Sequence, residues 1–208
     1  LFKNMPKFYP IIDTSIIPIS NVEETSQMII EGGAKTIQLR GKKISTRKFI
    51  EAAKIIKSLV KKNNVIFIIN DRVDIAMLVD ADGIHLGQDD LPIVDARRIL
   101  GKDKIIGIST HNLEEAAAAC KLGADYISFG PIFSTSTKKD AQKPKGIDGL
   151  KKVREVVKIP IAAIGGITLE NAQDVYRAGA DSAAVISDIL KSDDIKDRVV
   201  KFIKVSSS

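Results

Sequence analysis

Short apolar, β-branched runs alternate with longer amphipathic stretches along this chain, and that alternation limits its fold more than any other feature. The runs lie at 8–13 (FYPIID), 36–40 (TIQLR), 66–70 (IFIIN), 83–87 (GIHLG), 105–109 (IIGIS), 126–131 (YISFGP), 160–165 (PIAAIG) and 182–187 (SAAVIS). Most are continuously apolar, as expected of parallel strands covered on both faces. Between them, 46–62 carries Phe49, Ala52, Ala53, Ile56, Leu59 and Val60 at helical spacing, and 193–204 does the same with Ile195, Val199, Phe202 and Ile203. Asp193 and Asp194 stand at the start of that last helix, where its dipole favours negative charge.

A turn motif recurs on top of this alternation. Gly33-Ala34, Asp80-Ala81-Asp82, Gly123-Ala124-Asp125 and Gly179-Ala180-Asp181 stand just before the second, fourth, sixth and eighth strands. A helix-to-strand turn repeated at every second unit implies a symmetric closed array. Shared among eight units, 208 residues leave 26 for each, which is compact. The expected fold is α/β, a single-domain (β/α)8 TIM barrel spanning 1–208. A doubly wound open sheet would carry a G-x-G-x-x-G turn after a strand, and Gly165-Gly166-Ile167 lacks that spacing.

Composition narrows the function. The chain has 32 basic and 26 acidic residues, a net charge of +6, but no Trp and only three Tyr and seven Phe. So few stacking platforms speak against a nucleic-acid partner and leave phosphorylated small molecules as the expected anions. Lys54, Lys57 and Lys61 recur at helical spacing and read as a solvated helix face. No uncharged apolar run approaches the roughly 18 residues of a membrane helix. The stretch from Leu1 to Pro10 lacks the apolar core of a signal peptide. Cys120 is the lone cysteine, so an internal disulfide and a multi-cysteine metal cluster are both excluded. The expectation is a cytoplasmic protein with no membrane partner. Its oligomeric state is not legible.

In such a barrel, chemistry sits at the C-terminal ends of the strands. There the chain places Gln38, Arg40 and Lys42; Asn70 and Asp71; His85, Gln88, Asp89 and Asp90; Ser109, Thr110 and His111; the loop Ser134 to Lys139; Gly165-Gly166; and Ser187. Each group alone has a plain structural reading, such as helix capping for Asn70-Asp71 or Ser109 to Asn112, or a satisfied interior histidine for His85. Their joint placement at one end of an apolar barrel is hard to explain by stability. Asp71 and Asp90 follow adjacent strands, and Mg²⁺ takes one or two carboxylates and completes its shell with water and phosphate oxygens. Arg40 and Lys42 can neutralise the same phosphates. Gly165-Gly166 and Ile186-Ser187 offer backbone N–H groups for a second phosphate. The chain has no P-loop and no evident Ser-His-Asp signature.

The segments Ile37 to Lys42 (IQLRGK), Ile69 to Arg72 (INDR), Ala81 to Asp90 (ADGIHLGQDD), Gly107 to His111 (GISTH), Gly130 to Lys138 (GPIFSTSTK) and Ile164 to Ile167 (IGGI) together resemble the thiamine phosphate synthase family. The resemblance runs from about the second strand to the eighth. It implies condensation of 4-amino-5-hydroxymethyl-2-methylpyrimidine diphosphate with 4-methyl-5-hydroxyethylthiazole phosphate, or its carboxylated form, giving thiamine phosphate and diphosphate. It implies that Gln38, Leu39, Arg40, Gly41, Lys42 and Asn70 meet the pyrimidine diphosphate. Asp71 and Asp90 would hold Mg²⁺, and Ser109 and Lys138 would make further contacts. Thr135, Ser136, Thr137, Gly166, Ile186 and Ser187 would form the thiazole-phosphate site. Arg40, Lys42, Ser109 and Lys138 would be catalytic. The implied mechanism is dissociative: diphosphate departs, and the thiazole nitrogen attacks the pyrimidine methylene cation. One departure stands out. Gly41 lies between Arg40 and Lys42, where the family usually has an acidic residue, and the expectation is that this change is harmless.

Two other readings remain open at this stage. A thiazole tautomerase would need a general base such as His111 and no metal pair. A non-catalytic phosphate-ligand sensor would need no activated leaving group. Whether the loop 134–146 closes over substrate is also undecided.

Overall fold

The structure, a computed structural model, describes residues 4–135, 137 and 143–207. Eight parallel strands close into a barrel in chain order: β1 (Phe8–Asp13), β2 (Thr36–Arg40), β3 (Ile66–Asn70), β4 (Gly83–Leu86), β5 (Ile105–Thr110), β6 (Tyr126–Phe129), β7 (Ile161–Ile164) and β8 (Ser182–Val185). β8 pairs with β1 through Phe8 opposite Ala183, which closes the ring. Outside lie α1 (Val22–Glu31), α2 (Thr46–Asn63), α3 (Val73–Leu78), α4 (Ile93–Leu100), α5 (Leu113–Lys121), α6 (Gly146–Val156), α7 (Ala172–Arg177), the short α8 (Ser187–Leu190) and α9 (Ile195–Ser207). The expected (β/α)8 barrel is what forms.

The two helices with the clearest apolar period, α2 and α9, begin on side-chain caps. The Ser45 hydroxyl accepts from the Lys48 N–H to cap α2, which ends at Asn64 in a left-handed conformation (φ 52°). The buried face of α2, Phe49, Ala52, Ala53, Ile56 and Val60, repeats all but Leu59 of the apolar period in the sequence. The Asp194 carboxylate accepts from the Asp197 N–H at 2.9 Å, so the acidic start of the last helix is a cap.

Several strands stop short of their apolar runs. β6 ends at Phe129 rather than 131, because Gly130-Pro131 follows and proline has no N–H to give the ladder. β7 ends before Gly165, whose φ is 98°, and β8 ends before Ile186, where the chain turns into α8. β4 ends at Leu86, and β5 runs one residue further, to Thr110.

The recurrent turns are left-handed as expected, with φ of 99°, 52°, 84° and 98° at Gly33, Asp80, Gly123 and Gly179. Three of them also tie the bottom of the barrel. The carboxylates of Asp82, Asp125 and Asp181 each accept from a backbone N–H of the preceding strand, at Phe67, Ile106 and Ile161, all at 2.8 Å. Arg97 and Arg154 then pair with Asp125 and Asp181 at 2.5 and 2.8 Å.

Side chains fill the barrel interior. Tyr9, His85 and Tyr126 come from strands that are not neighbours, yet their side chains meet by hydrogen bonds, which places all three on the axis. Gly107 makes the space for Tyr126, since a Cβ there would stand 2.1 Å from the phenol Cζ.

Candidate active site

The strand alternation decides which residues face the axis. In β2, Gln38 and Arg40 point inward and the intervening Leu39 points outward into the sheet–helix core, fully buried. Leu39 therefore has only its backbone to offer a ligand. Gly41 follows directly. A Cβ there would meet the Phe49 ring at 2.7 Å, so its lack of a side chain lets Phe49 and Ile44 pack beneath the loop.

One rim of the barrel mouth is charged. Arg40 forms an ion pair with Asp13, which is fully buried and also accepts from the Ser15 N–H at 2.9 Å and the Ser15 hydroxyl at 2.7 Å. Beside it, Lys42 Nζ lies 3.3 Å from Asp71 Oδ2. Asp71 holds a left-handed φ of 64° and donates its N–H to the His85 carbonyl at 2.8 Å. A non-glycine residue fixed in that region at a strand end is a usual mark of a functional constraint. Burial pushes the Asp71 carboxyl up to about 6, and its hydrogen bond with Asp90 adds to the rise, while Lys42 opposes it. Asp90 is steadied from behind, because its Oδ2 accepts from the Gly87 N–H at 2.7 Å.

This arrangement tests the fit of a divalent cation. Two facing carboxyls, one of them reluctant to ionise, form a site short of positive charge. Among the described residues no group of three or more His, Cys, Asp or Glu gathers. A pair is what Mg²⁺ uses when phosphate oxygens and water complete its shell, so the residues present fit that ion.

Across the mouth lies a cavity of about 340 Å³. Ser109, Thr135, Thr137, Gly166, Ile186 and Ser187 line it, together with His111 and Glu115. Its wall depends on the close crossing of two loops. Gly166 has a φ of 63°, and a Cβ there would stand 2.4 Å from the Ser134 carbonyl oxygen. Asn171 pins the same loop by donating to the Gly166 carbonyl at 3.0 Å. Arg198 grips Asp188 through two hydrogen bonds of 2.8 and 2.9 Å, which fixes α8 and with it Ser187.

A smaller void of about 20 Å³ lies among Gln38, Arg40, Asn70, Ser109 and Ile186. Ser109 and Ile186 border both spaces, so the charged rim and the cavity are parts of one site. Ser136 and Lys138 lie outside the described residues.

Beneath the site runs a polar chain. Gln38 Nε2 donates to the Tyr9 hydroxyl at 2.8 Å, and the Tyr9 and Tyr126 hydroxyls are 2.7 Å apart. Tyr126 meets His85 Nδ1 at 2.9 Å, and His85 Nε2 meets Ser109 Oγ at 3.0 Å and Ser128 Oγ at 3.2 Å. Burial raises both phenols above the usual tyrosine range, so each keeps its proton. His85 is thus a satisfied interior histidine, and it is joined to the site. Sequence reasoning missed Asp13, Tyr9, Tyr126 and Ser128. The available signal was the even spacing of Tyr9 and Asp13 with Ile11 on β1 and of Tyr126 with Ser128 on β6, and the acid that closes β1. Asn112 does cap α5, its side chain accepting from the Glu115 N–H at 2.8 Å, while Ser109 faces inward. His111 Nδ1 lies 3.0 Å from Glu115 Oε2.

A closed parallel barrel with its ionisable and hydroxyl groups gathered at the C-terminal strand ends defines a (β/α)8-barrel enzyme. The family model described as thiamine monophosphate synthase matches residues 8–189, and the chain belongs to that family. A thiamine-phosphate synthase of Clostridium novyi is 50% identical over 91% of this chain and 93% of its own length. One of Chloroflexus aurantiacus is 48% identical over 91% and 87%. The solved structure of a thiamine phosphate pyrophosphorylase from Pyrococcus furiosus is 40% identical, covers 100% of this chain and 98% of its own, and superposes with a TM-score of 0.91. The chain is accordingly a transferase with thiamine-phosphate synthase activity.

Proposed function

We propose that the charged rim binds a pyrimidine diphosphate and that the cavity opposite binds a thiazole phosphate. The observation that carries this reading is the Asp71–Asp90 pair beside Lys42 and Arg40, joined to the larger cavity at Ser109. Magnesium held by Asp71 and Asp90 would supply Lewis-acid neutralisation of charge on the departing diphosphate. Arg40, oriented by Asp13, and Lys42 add fixed positive charge to the same oxygens. Asn70 and Gln38 hold the pyrimidine ring. Ser109, which borders both subsites, offers its hydroxyl to the substrates between them. Thr135, Thr137, Gly166, Ile186 and Ser187 hold the thiazole phosphate. The reaction needs no protein nucleophile: the carbon–oxygen bond to diphosphate breaks, the electron-rich aminopyrimidine stabilises the methylene cation, and the thiazole nitrogen supplies the new bond. The chain's own work is to hold the rings in line and stabilise the leaving charge. Residues 1–208 act as one domain on small molecules in the cytoplasm.

The test is a single-turnover assay with both substrates and Mg²⁺, read as thiamine phosphate by chromatography, with EDTA as control. Asp71→Ala and Asp90→Ala are each expected to lower turnover by at least about tenfold, roughly 1.4 kcal/mol of barrier. Near-normal turnover of both variants at limiting Mg²⁺ would remove the metal assignment.

A further inference from the structure

The buried chain from Gln38 to Ser109 joins two site residues that sit on different sides of the barrel. Its links are Tyr9 on β1, Tyr126 on β6 and His85 on β4. Tyr9 and Tyr126 are at most 1% exposed, and His85 is 6% exposed. Tyr9 and His85 border only the void of about 20 Å³, so the links are shielded from bulk water and the neighbour in the chain biases each proton's direction.

The direction can be worked through atom by atom. Gln38 presents Nε2, which only donates, so the Tyr9 oxygen accepts. The Tyr9 proton then points to the Tyr126 oxygen 2.7 Å away. Tyr126 turns its own proton to His85 Nδ1, which accepts at 2.9 Å. A neutral imidazole that accepts at Nδ1 carries its proton at Nε2 and donates there. That proton meets Ser109 Oγ at 3.0 Å, and Ser128 Oγ also donates to Ser109 Oγ at 3.5 Å. With its oxygen accepting from two sides, Ser109 has its own proton left to offer to the space it borders. If the Gln38 amide presented its oxygen instead, every link would reverse and Ser109 would donate inward to His85.

We propose that Tyr9, Tyr126 and His85 are positioning residues that form a directional hydrogen-bond relay, through which the Gln38 amide sets the proton direction of the Ser109 hydroxyl. The relay makes the two halves of the site interdependent. A ligand that holds Gln38 with its nitrogen toward Tyr9 prepares Ser109 as a donor to the group that occupies the far side. The functional part of this inference rests on the site assignment above, whereas the relay itself can be tested without turnover.

The chain has only two histidines, His85 and His111, so a ¹⁵N-histidine spectrum resolves both rings, with His111→Gln for assignment. The parent protein is expected to show His85 protonated at Nε2 alone. Gln38→Ala removes the donor that fixes the direction, and Tyr9→Phe removes the link with little change of ring volume. Both are expected to move His85 to a mixture of Nε2–H and Nδ1–H tautomers, although neither substitution touches the imidazole. An unchanged His85 tautomer in both variants, with fold verified by circular dichroism, overturns the relay. The kinetic arm compares Gln38→Ala, Ser109→Ala and their double variant, in the parent and in Tyr9→Phe. In the parent background the double variant is expected to lose about tenfold less kcat/KM than the product of the singles. In Tyr9→Phe the losses should multiply to within about twofold. Coupling that persists undiminished in Tyr9→Phe overturns transmission through the relay. If neither single variant changes kcat/KM while the tautomer shifts as expected, the relay stands and the substrate roles of Gln38 and Ser109 fall.

Discussion

Gly107→Ala adds one methyl group at the most crowded point of the barrel. The new Cβ would lie 2.1 Å from Tyr126 Cζ, 2.2 Å from Cε1 and 2.5 Å from the hydroxyl oxygen. Tyr126 is fully buried, so its ring has no solvent to move into and must be displaced among packed neighbours. Overpacking of this kind costs about 1–3 kcal/mol. The displaced hydroxyl also loses good geometry toward Tyr9 and His85, now 2.7 and 2.9 Å away. Each such bond is worth about 1 kcal/mol. The expected loss is roughly 3 kcal/mol from a total of about 5–15. In a chain of this length that lowers the melting temperature by about 6–12 °C. Urea unfolding followed by circular dichroism measures it. Gly123→Ala is the contrast, because its φ of 84° strains a side chain but nothing lies within 4 Å. It should cost less, about 1–2 kcal/mol. Tyr126→Leu removes the clashing atoms, so the Gly107→Ala/Tyr126→Leu pair should be less destabilised than the sum of the singles. A Gly107→Ala melting temperature within about 2 °C of the parent, or strict additivity in the pair, would refute this packing argument.

Asp71 predicts a pH effect of opposite sign to most buried ion pairs. Its folded pKa of about 6 lies above the ordinary aspartate value of 3.8, so the metal-free protein carries no penalty from this group below about pH 4, gathers one as pH rises, and bears it fully above about 6. Asp71→Asn should therefore stabilise the metal-free protein at pH 8 and not at pH 3.5, and added Mg²⁺ should stabilise the parent but not the variant. Calorimetry at the two pH values measures both. Arg40→Ala leaves Asp13 as a buried unpaired carboxylate and should cost about 3–5 kcal/mol, whereas Lys42→Ala, half exposed, should leave stability nearly unchanged. Denaturant midpoints separate the two. Ser187→Asp places negative charge on the wall of the larger cavity and should raise KM for the thiazole phosphate about tenfold while leaving that for the pyrimidine diphosphate unchanged. Equal effects on both substrates would count against separate subsites.

The eight strands were legible because continuous apolar runs and left-handed turns are local signals. Their ends were less so: Gly130-Pro131 and Gly165 prolong the run, but Pro131 has no N–H to give and Gly165 takes a left-handed φ, so the regular strands stop before them. The segment from Gln38 to Lys42 reads as one contact stretch, while a strand sends neighbouring side chains to opposite faces. The rim residues Arg40, Lys42, Asp71 and Asp90 were legible from their positions at or just after strand ends. The relay was not, because its members come from strands that meet only through barrel closure, and nothing in the linear order pairs Tyr9 with Tyr126. Asp13 gave a faint signal as the acid closing β1, but only the register of β1 on β2 brings it opposite Arg40.

The aspartates at the barrel floor give the molecule a seam pattern of its own. Asp82, Asp125 and Asp181 each fasten an even-numbered strand to the odd-numbered one before it, and Lys35 stands where the fourth would be. Three two-strand modules are thus stitched at their lower edge by a carboxylate, and the β1–β2 module is held by its strand ladder. These stitches lie at the opposite end from the reacting groups. Loops above a module are free to diverge in sequence and length while its lower edge keeps the same closure. Closure of the floor and chemistry at the mouth thus fall to different aspartates at opposite ends of the same barrel.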